Sequence, residues 1–174
     1  MLQIYKTERL QLQKLTLHDV NFIFELVNTG AWIKFIGDRQ VKTTADAIAY
    51  IEKITANPDV NHWVVKLKDS ILLQGVITFI KRNYLEQHDI GFAFLPQHAK
   101  KGYAFEAAQE VLNNLLGAEN CTTIIATTIK ENIASIQLLK KLGFTFKTEL
   151  NIGNKTLHVY AVNKDQLCKP INQS

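Results

Sequence analysis

Two short segments carry residue types that could do chemistry. The first is Asp89–Ala108, DIGFAFLPQHAKKGYAFEAA. A strand-like run ends at Leu95, Pro96 removes a ladder donor, and a helical pattern opens at Tyr103. A helix start leaves backbone N–H groups without intrahelical partners, and the helix dipole adds positive potential there. Gly102 and Ala104 leave that end open to close approach, while Lys100 and Lys101 add positive charge. This is the chemistry of an anion site, suited to a phosphate group. An ordinary strand-to-helix turn with two solvated lysines fits the same residues. The second segment is Asn132–Phe144, NIASIQLLKKLGF. Asn132 suits an N-cap, Ser135 lies in the first turn, and Gly143 suits a C-cap. A strand feeding this helix would deliver both polar groups to the C-terminal edge of a sheet, where open α/β sheets bind ligands.

The framework that must hold these segments is legible from periodicity. Arg9–Leu15 alternates like a half-buried strand. Thr16 and Asp19 open a helix with Val20, Ile23, Phe24 and Val27 on one stripe, stopped by Asn28–Gly30. Ala31–Val41 reads as a loop. Thr43 and Asp46 open a second helix that buries Ala47, Ile48, Ile51 and Ile54, and Asn57-Pro58-Asp59 breaks it. Strands are expected at His62–Leu67, Leu72–Lys81 and His88–Leu95, as an antiparallel meander. After the loop Gln97–Gly102 come a helix over Tyr103–Leu116 and a β-branched strand over Thr123–Ile129. Together with the third meander strand they form a βαβ crossover with parallel strands. A last helix, Asn132–Leu142, precedes strands Phe144–Lys147 and Leu157–Asn163. The order predicts a single α/β domain over residues 1–168, with a mixed sheet and helices on both faces. Residues 169–174 read as a polar tail.

Composition narrows the function classes. The chain has 174 residues, 47% of them hydrophobic, enough for one compact core. The net charge of +4 is modest, and no Lys/Arg run with interleaved aromatics points to nucleic acid. Two cysteines, Cys121 and Cys168, do not make a disulfide scaffold. Met1–Arg9 holds no signal core and no apolar run approaches ~20 residues, so the expected setting is cytoplasmic, with no membrane partner. His18, His62, His98 and His158 lack metal-ligand spacing, and no metal is expected.

Gln97-His98-Ala99-Lys100-Lys101-Gly102-Tyr103-Ala104, followed by Glu106-Ala107, resembles the acetyl-CoA pyrophosphate loop of the GNAT acetyltransferases, whose pattern is Gln/Arg-x-x-Gly-x-Gly/Ala. Asn132-x-x-Ser135 leading to Leu142-Gly143-Phe144 is similar to the second motif of that superfamily. Thr7-Glu8-Arg9-Leu10 with Leu12, and Ile36-Gly37-Asp38-Arg39, resemble the branch that acetylates ribosomal-protein N-termini. The resemblance runs from about Thr7 to Asn163. Two positions depart from the pattern. Lys100 stands where the loop has its first Gly, and Leu139 stands where many members have a Tyr that protonates the leaving thiolate. In the ribosomal-protein branch a Ser at the position of Ser135 is given that task.

The resemblance implies a sheet splayed at the crossover, with acetyl-CoA as cofactor and direct attack by an amine. Phe92, Ala93 and Phe94 would line the pantetheine arm through their backbone. Asp89 is the leading candidate base, as against a solvent-facing strand-end carboxylate, with Glu86 and His88 as competitors. Trp32, Phe35, Gly37, Asp38 and Arg39 are candidate acceptor residues, although Trp32 and Phe35 could equally pack the N-terminal helices. The acceptor is expected to be the α-amine of a protein or peptide. A small amine, or a CoA-binding module without turnover, are the alternatives. A monomer or a homodimer is expected. Cys121 reads as a small buried residue and Glu106 as a carboxylate favoured by the helix dipole.

Overall fold

The parallel strand pair predicted around the crossover organises the computed structural model, which describes residues 4–117 and 121–167. Strands β1 (Tyr5–Lys6), β2 (Leu10–Lys14), β3 (Val60–Leu67), β4 (Leu73–Ile80), β5 (Asp89–Phe94), β6 (Thr123–Thr128), β7 (Thr145–Ile152) and β8 (Lys155–Asn163) form one sheet in the order β1-β2-β3-β4-β5-β6-β8-β7. Among the described residues only β5 and β6 pair in parallel; every other ladder is antiparallel. The expected polar tail, 169–174, and Cys168 lie outside the described residues.

Helices cover both faces. Helix α4 (Tyr103–Leu116) is the crossover between β5 and β6, and α5 (Ile133–Lys141) follows β6. Ala107, Ala108, Val111 and Leu112 of α4 and Leu139 of α5 are buried against Trp63, Ile77, Ile90, Ile124 and Tyr160. On the opposite face lie α1 (Val20–Val27), α2 (Gly30–Phe35) and α3 (Thr44–Thr55). They close a second core of Ile23, Leu26, Trp32, Ala47 and Ile51 over Val64, Val76 and Leu95. Three of the capping sites read from the sequence are present, that at Thr16 on the 3-10 turn Leu17–Asp19 leading into α1. Thr16 with Asp19 and Thr43 with Asp46 form capping boxes, and Asn132 Oδ1 accepts from the Ser135 N–H at 3.2 Å.

Four expectations need correction. The loop expected over Ala31–Val41 contains α2, started by Thr29, whose hydroxyl accepts from the Trp32 N–H. A single turn and a half gives too short a period to read from sequence. Ile48 and Phe24 are 38% and 36% exposed, because each helix presents only a narrow stripe to the sheet. The last two strands are longer than predicted and form a hairpin closed at Ile152↔Lys155, with Gly153 at φ 56°. Their exposed residues erase the alternation that sequence reading needs. Finally, β1 adds a short strand paired at Tyr5↔Leu12.

One buried group makes stability depend on pH. His62 on β3 is held neutral, its pKa lowered to about 4 by burial and, secondarily, by Lys14. The folded value lies below the ordinary value of 6.5. Between the two, the unfolded chain binds a proton that the folded chain refuses. The contribution of His62 is therefore complete above pH 6.5 and is lost as pH falls toward 4. Chemical denaturation of wild type against His62→Gln from pH 7 to 4 is expected to show an extra loss in wild type, with a slope up to about 1.4 kcal/mol per pH unit.

Candidate active site

The site begins where the sheet stops being continuous. Strands β4 and β5 pair along six residues, from Gly75↔Phe94 to Ile80↔Asp89, but β5 and β6 share one pair, Asp89↔Ile125. The Ile125 N–H still reaches the His88 carbonyl at 3.0 Å. A regular parallel ladder would next bring the Thr127 N–H to the carbonyl of Ile90. Here that N–H donates instead to Asp89 Oδ1 at 3.0 Å. Beyond this point the strands diverge toward their C-terminal ends. Odd-numbered residues of β5 spend their backbone groups on β4, as the Leu95 N–H to Gln74 carbonyl bond at 2.9 Å shows. The N–H and C=O of Phe92 and Phe94 therefore face the split.

At the open end, the loop after β5 turns into α4. Lys100 and Gly102 both have left-handed backbones, at φ 60° and 80°. Lys100 thus adopts the conformation that a Gly would take freely, at a cost of about 1–2 kcal/mol. Gly102 is the N-cap of α4 and supplies no capping side chain. The first intrahelical bond is Glu106 N–H to Gly102 C=O at 3.0 Å, so the amides of Tyr103, Ala104 and Phe105 have no partner within the helix. Lys100, Lys101 and Gly102 are exposed, His98 and Tyr103 are half-buried, and Gln97 Nε2 donates to Glu25 Oε1 at 3.2 Å. An uncapped start, two adjacent lysines and the absence of a Cβ at Gly102 fit a pyrophosphate. Across the split, α5 brings Asn132 and Ser135 to the C-terminal end of β6, both half-buried. Leu139 is 1% exposed within the main core, and its hydrocarbon side chain has no proton to give a leaving group.

Sequence reading missed what orders the loop. Glu106 is more than a dipole-favoured carboxylate. Its Oε2 accepts from Arg9 Nε at 2.7 Å, and its Oε1 accepts from the Arg9 backbone N–H at 2.9 Å and from the Thr7 hydroxyl at 2.5 Å. Arg9 Nη1 also donates to the Lys101 carbonyl at 3.1 Å, and the guanidinium lies 4.9 Å from the Tyr103 ring centroid. Burial alone would raise the Glu106 carboxyl, but the bonds from Thr7 and Arg9 hold it below the ordinary carboxylate value. The one available signal was the likeness of Thr7-Glu8-Arg9-Leu10 to a family pattern, which carries no information about a partner some hundred positions away.

Asp89 is not the solvent-facing carboxylate that its place at a strand end suggests. It is 3% exposed. Oδ2 accepts from Arg82 Nε at 2.5 Å, while Thr127 engages Oδ1 through its N–H and lies 3.3 Å from Oδ2 through its hydroxyl. Burial pushes its carboxyl up, against the pull of Arg82 and Thr127. Glu86 and His88 precede Asp89, on the closed side of the split. They line a separate cavity of about 420 Å³ with Lys81 and Cys121. His88 stacks on Phe79 with ring centroids 4.5 Å apart.

The candidate acceptor residues divide. Trp32 is 6% exposed and packs in the second core. Phe35 is half-buried at the end of α2, with Lys34 Nζ 5.0 Å from its ring centroid. Gly37, at φ 117°, sits where an added Cβ would lie 4.0 Å from Lys155 Nζ, so this loop meets the β7–β8 hairpin. Asp38 accepts from the Gln40 N–H at 2.8 Å and from Lys42 Nζ at 3.4 Å. Arg39 is exposed and hydrogen-bonds Tyr50. Leu85 of the β4–β5 turn packs with Ile125, Val159 and Leu150.

Comparison with known proteins gives this geometry its context. The model of the acetyltransferase (GNAT) domain matches residues 9–145. The N-acetyltransferase YnaD of Bacillus subtilis strain 168, itself uncharacterized, is 34% identical over 153 residues, covering 86% of this chain and 89% of the relative. A GNAT-family acetyltransferase from Bacillus anthracis superposes with a TM-score of 0.79 at 28% identity, over 94% of this chain and 99% of that one. Two more distant structures share the fold alone. One is RimL, a ribosomal L7/L12 alpha-N-protein acetyltransferase in complex with coenzyme A, with a TM-score of 0.81 at 13% identity over 94% of this chain and 99% of that one. The other is a spermidine N-acetyltransferase from Vibrio cholerae with CoA and spermine, with a TM-score of 0.77 at 18% identity over 92% of this chain and 98% of that one. The matched span runs from Arg9 through the uncapped start of α4 to the Asn132–Phe144 segment; the chain belongs to the GNAT family and is an acetyl-CoA-dependent N-acetyltransferase.

Proposed function

We propose that the acceptor is the α-amine of a protein or peptide N-terminus, acetylated directly in the cytoplasm. The observation that carries this reading is that the leading candidate base, Asp89, is buried at the split with both oxygens engaged by Arg82 and Thr127. An α-amine with a pKa of ~7.7–8.0 is partly neutral at physiological pH, whereas a Lys amine at ~10.4 needs a base. The loop and hairpin that meet at Gly37 carry Arg39 and Lys155, while Asp38 is paired with Lys42. A basic wall of this kind suits a peptide better than a polycation, although the fold is shared with both a protein N-terminal and a spermidine acetyltransferase.

Acetyl-CoA supplies a thioester carbonyl open to amine attack. In this reading the amides from Lys100 to Tyr103 and the start of α4 hold its pyrophosphate, assisted by Lys100 and Lys101. Gln97, His98, Ala99 and Ala104 shape the loop around it. The backbone of Phe92, Ala93 and Phe94 borders the pantetheine arm, with the inward-facing N–H groups of Phe92 and Phe94 as donors toward the carbonyl oxygen. Ser135, held at the first turn of α5 by Asn132, is the proton donor to the leaving sulfur. Phe35, Gly37, Asp38 and Arg39 border the acceptor.

Gly102→Val puts a β-branched residue at φ 80° beside Arg9 and crowds the proposed pyrophosphate position. Calorimetry should show acetyl-CoA affinity falling on the order of 100-fold, about 2.7 kcal/mol, with the fold retained. Undiminished affinity would place the pyrophosphate elsewhere. Ser135→Ala should lower kcat by on the order of 10–100-fold with little change in KM for acetyl-CoA. Full turnover in that variant would assign the proton to solvent or to another group. Peptides with a free α-amine should react faster than the same peptides blocked at the N-terminus but carrying Lys, with a rate that levels off near pH 8. Faster acetylation of blocked Lys peptides or of polyamines would overturn the N-terminal reading.

A further inference from the structure

The carboxylate of Asp89 occupies an unusual place in the sheet. It takes the Thr127 N–H at the point where the β5–β6 ladder would otherwise continue to the Ile90 carbonyl. On its other side it is fixed by Arg82, which lies just beyond the end of β4. Three segments therefore meet on one buried side chain: the turn just after β4, the start of β5 and the C-terminal end of β6. A side-chain acceptor reaches farther from its own strand than a carbonyl does. Replacing the carbonyl with Asp89 ends the ladder while still satisfying Thr127. The strands separate there without leaving a buried donor unpaired. The Arg82 guanidinium, 2.5 Å from Oδ2, fixes the carboxylate's orientation.

We propose that Asp89 is a positioning residue, the clip that sets where the β5–β6 split begins, and that it does not act as the base. The assignment rests on the reading that the thioester end of acetyl-CoA lies in that split. The clip sets the separation of Phe92 and Phe94 from Ser135, and hence the alignment of donors on opposite walls. A displacement of about 1 Å at such a site is enough to cost on the order of 100-fold in rate.

The test uses the full chain and two replacements. Asp89→Ala removes both contacts. The pair Asp89→Asn with Arg82→Met leaves no charge buried alone, and the Asn Oδ1 still accepts from the Thr127 N–H. A clip predicts that Asp89→Ala loses on the order of 10–100-fold in kcat/KM, partly through a raised KM for acetyl-CoA. It also predicts that the double variant recovers to within about fivefold of wild type, with the midpoint of its kcat–pH profile unchanged. A base cannot be replaced by an amide. If the double variant is as inactive as Asp89→Ala, the clip is overturned. Wild-type kcat and KM in Asp89→Ala overturn both roles. If Asp89→Ala does not fold, the double variant decides alone, by the same two outcomes. Calorimetry on wild type separates the premises: no acetyl-CoA affinity would sink the proposed cofactor placement and this assignment with it, whereas normal affinity with a failed rescue removes the clip only.

Discussion

The architecture turns on a parallel strand contact that stops after one residue pair. Parallel neighbours joined by a helical crossover normally run side by side along their length, each satisfying the other's backbone. In this chain β5 and β6 meet at Asp89↔Ile125 and then diverge. The divergence leaves backbone donors and acceptors of Phe92 and Phe94 facing a gap. Such groups are tolerable only where water or a ligand can reach them. A sheet that is continuous on both sides of the split, through the β4–β5 ladder and the β6–β8 ladder, keeps the gap from closing or widening. The two helices that flank the gap, α4 and α5, anchor to the same core through Leu112 and Leu139. The gap is therefore bordered on both sides by paired strands and packed helices.

A second long-range tie orders the end of α4. An uncapped helix N-terminus with two left-handed residues just before it has little local reason to hold one conformation. The Thr7–Arg9–Glu106 cluster supplies that reason from the far edge of the sheet. It engages the Glu106 carboxylate three residues into the helix and the Lys101 carbonyl just outside it. The carboxylate of Glu106 is thus diverted from capping its own helix, and the amides at the helix start stay free for an anion. Exposure of Arg9 limits what this cluster adds to global stability. Its consequence is local: it ties the loop before α4 to the β1–β2 edge.

Charge and burial then separate the residues of the site by role. Asp89 is buried and paired with Arg82. Ser135 is only half-buried and carries a hydroxyl at the first turn of a capped helix. The loop around Gly37 and the β7–β8 hairpin approach each other through Lys155 on the face where the first three helices stop. That face has a small apolar patch of Ile125, Val159 and Ala161 under Leu85 and Leu150, instead of a covering helix.

Periodicity alone determined most of the elements in this chain. The Ala107–Leu112 stripe, the β-branched run after Thr123 and the caps at Thr16, Thr43 and Asn132 each satisfy a local rule, and local rules survive folding. The α4 start and the Asn132–Ser135 turn were legible for the same reason, since both depend on residues within one helical turn of each other. What the sequence could not carry was pairing at a distance. Nothing in the neighbourhood of Glu106 announces Arg9, and nothing around Asp89 announces that its oxygens face Arg82 of the preceding turn and Thr127 of β6. Tertiary packing decided each of these cases. The physical reason is that the environment of a side chain, and with it the burial, charge partner and role of that group, comes from segments that the fold brings beside it from elsewhere in the chain.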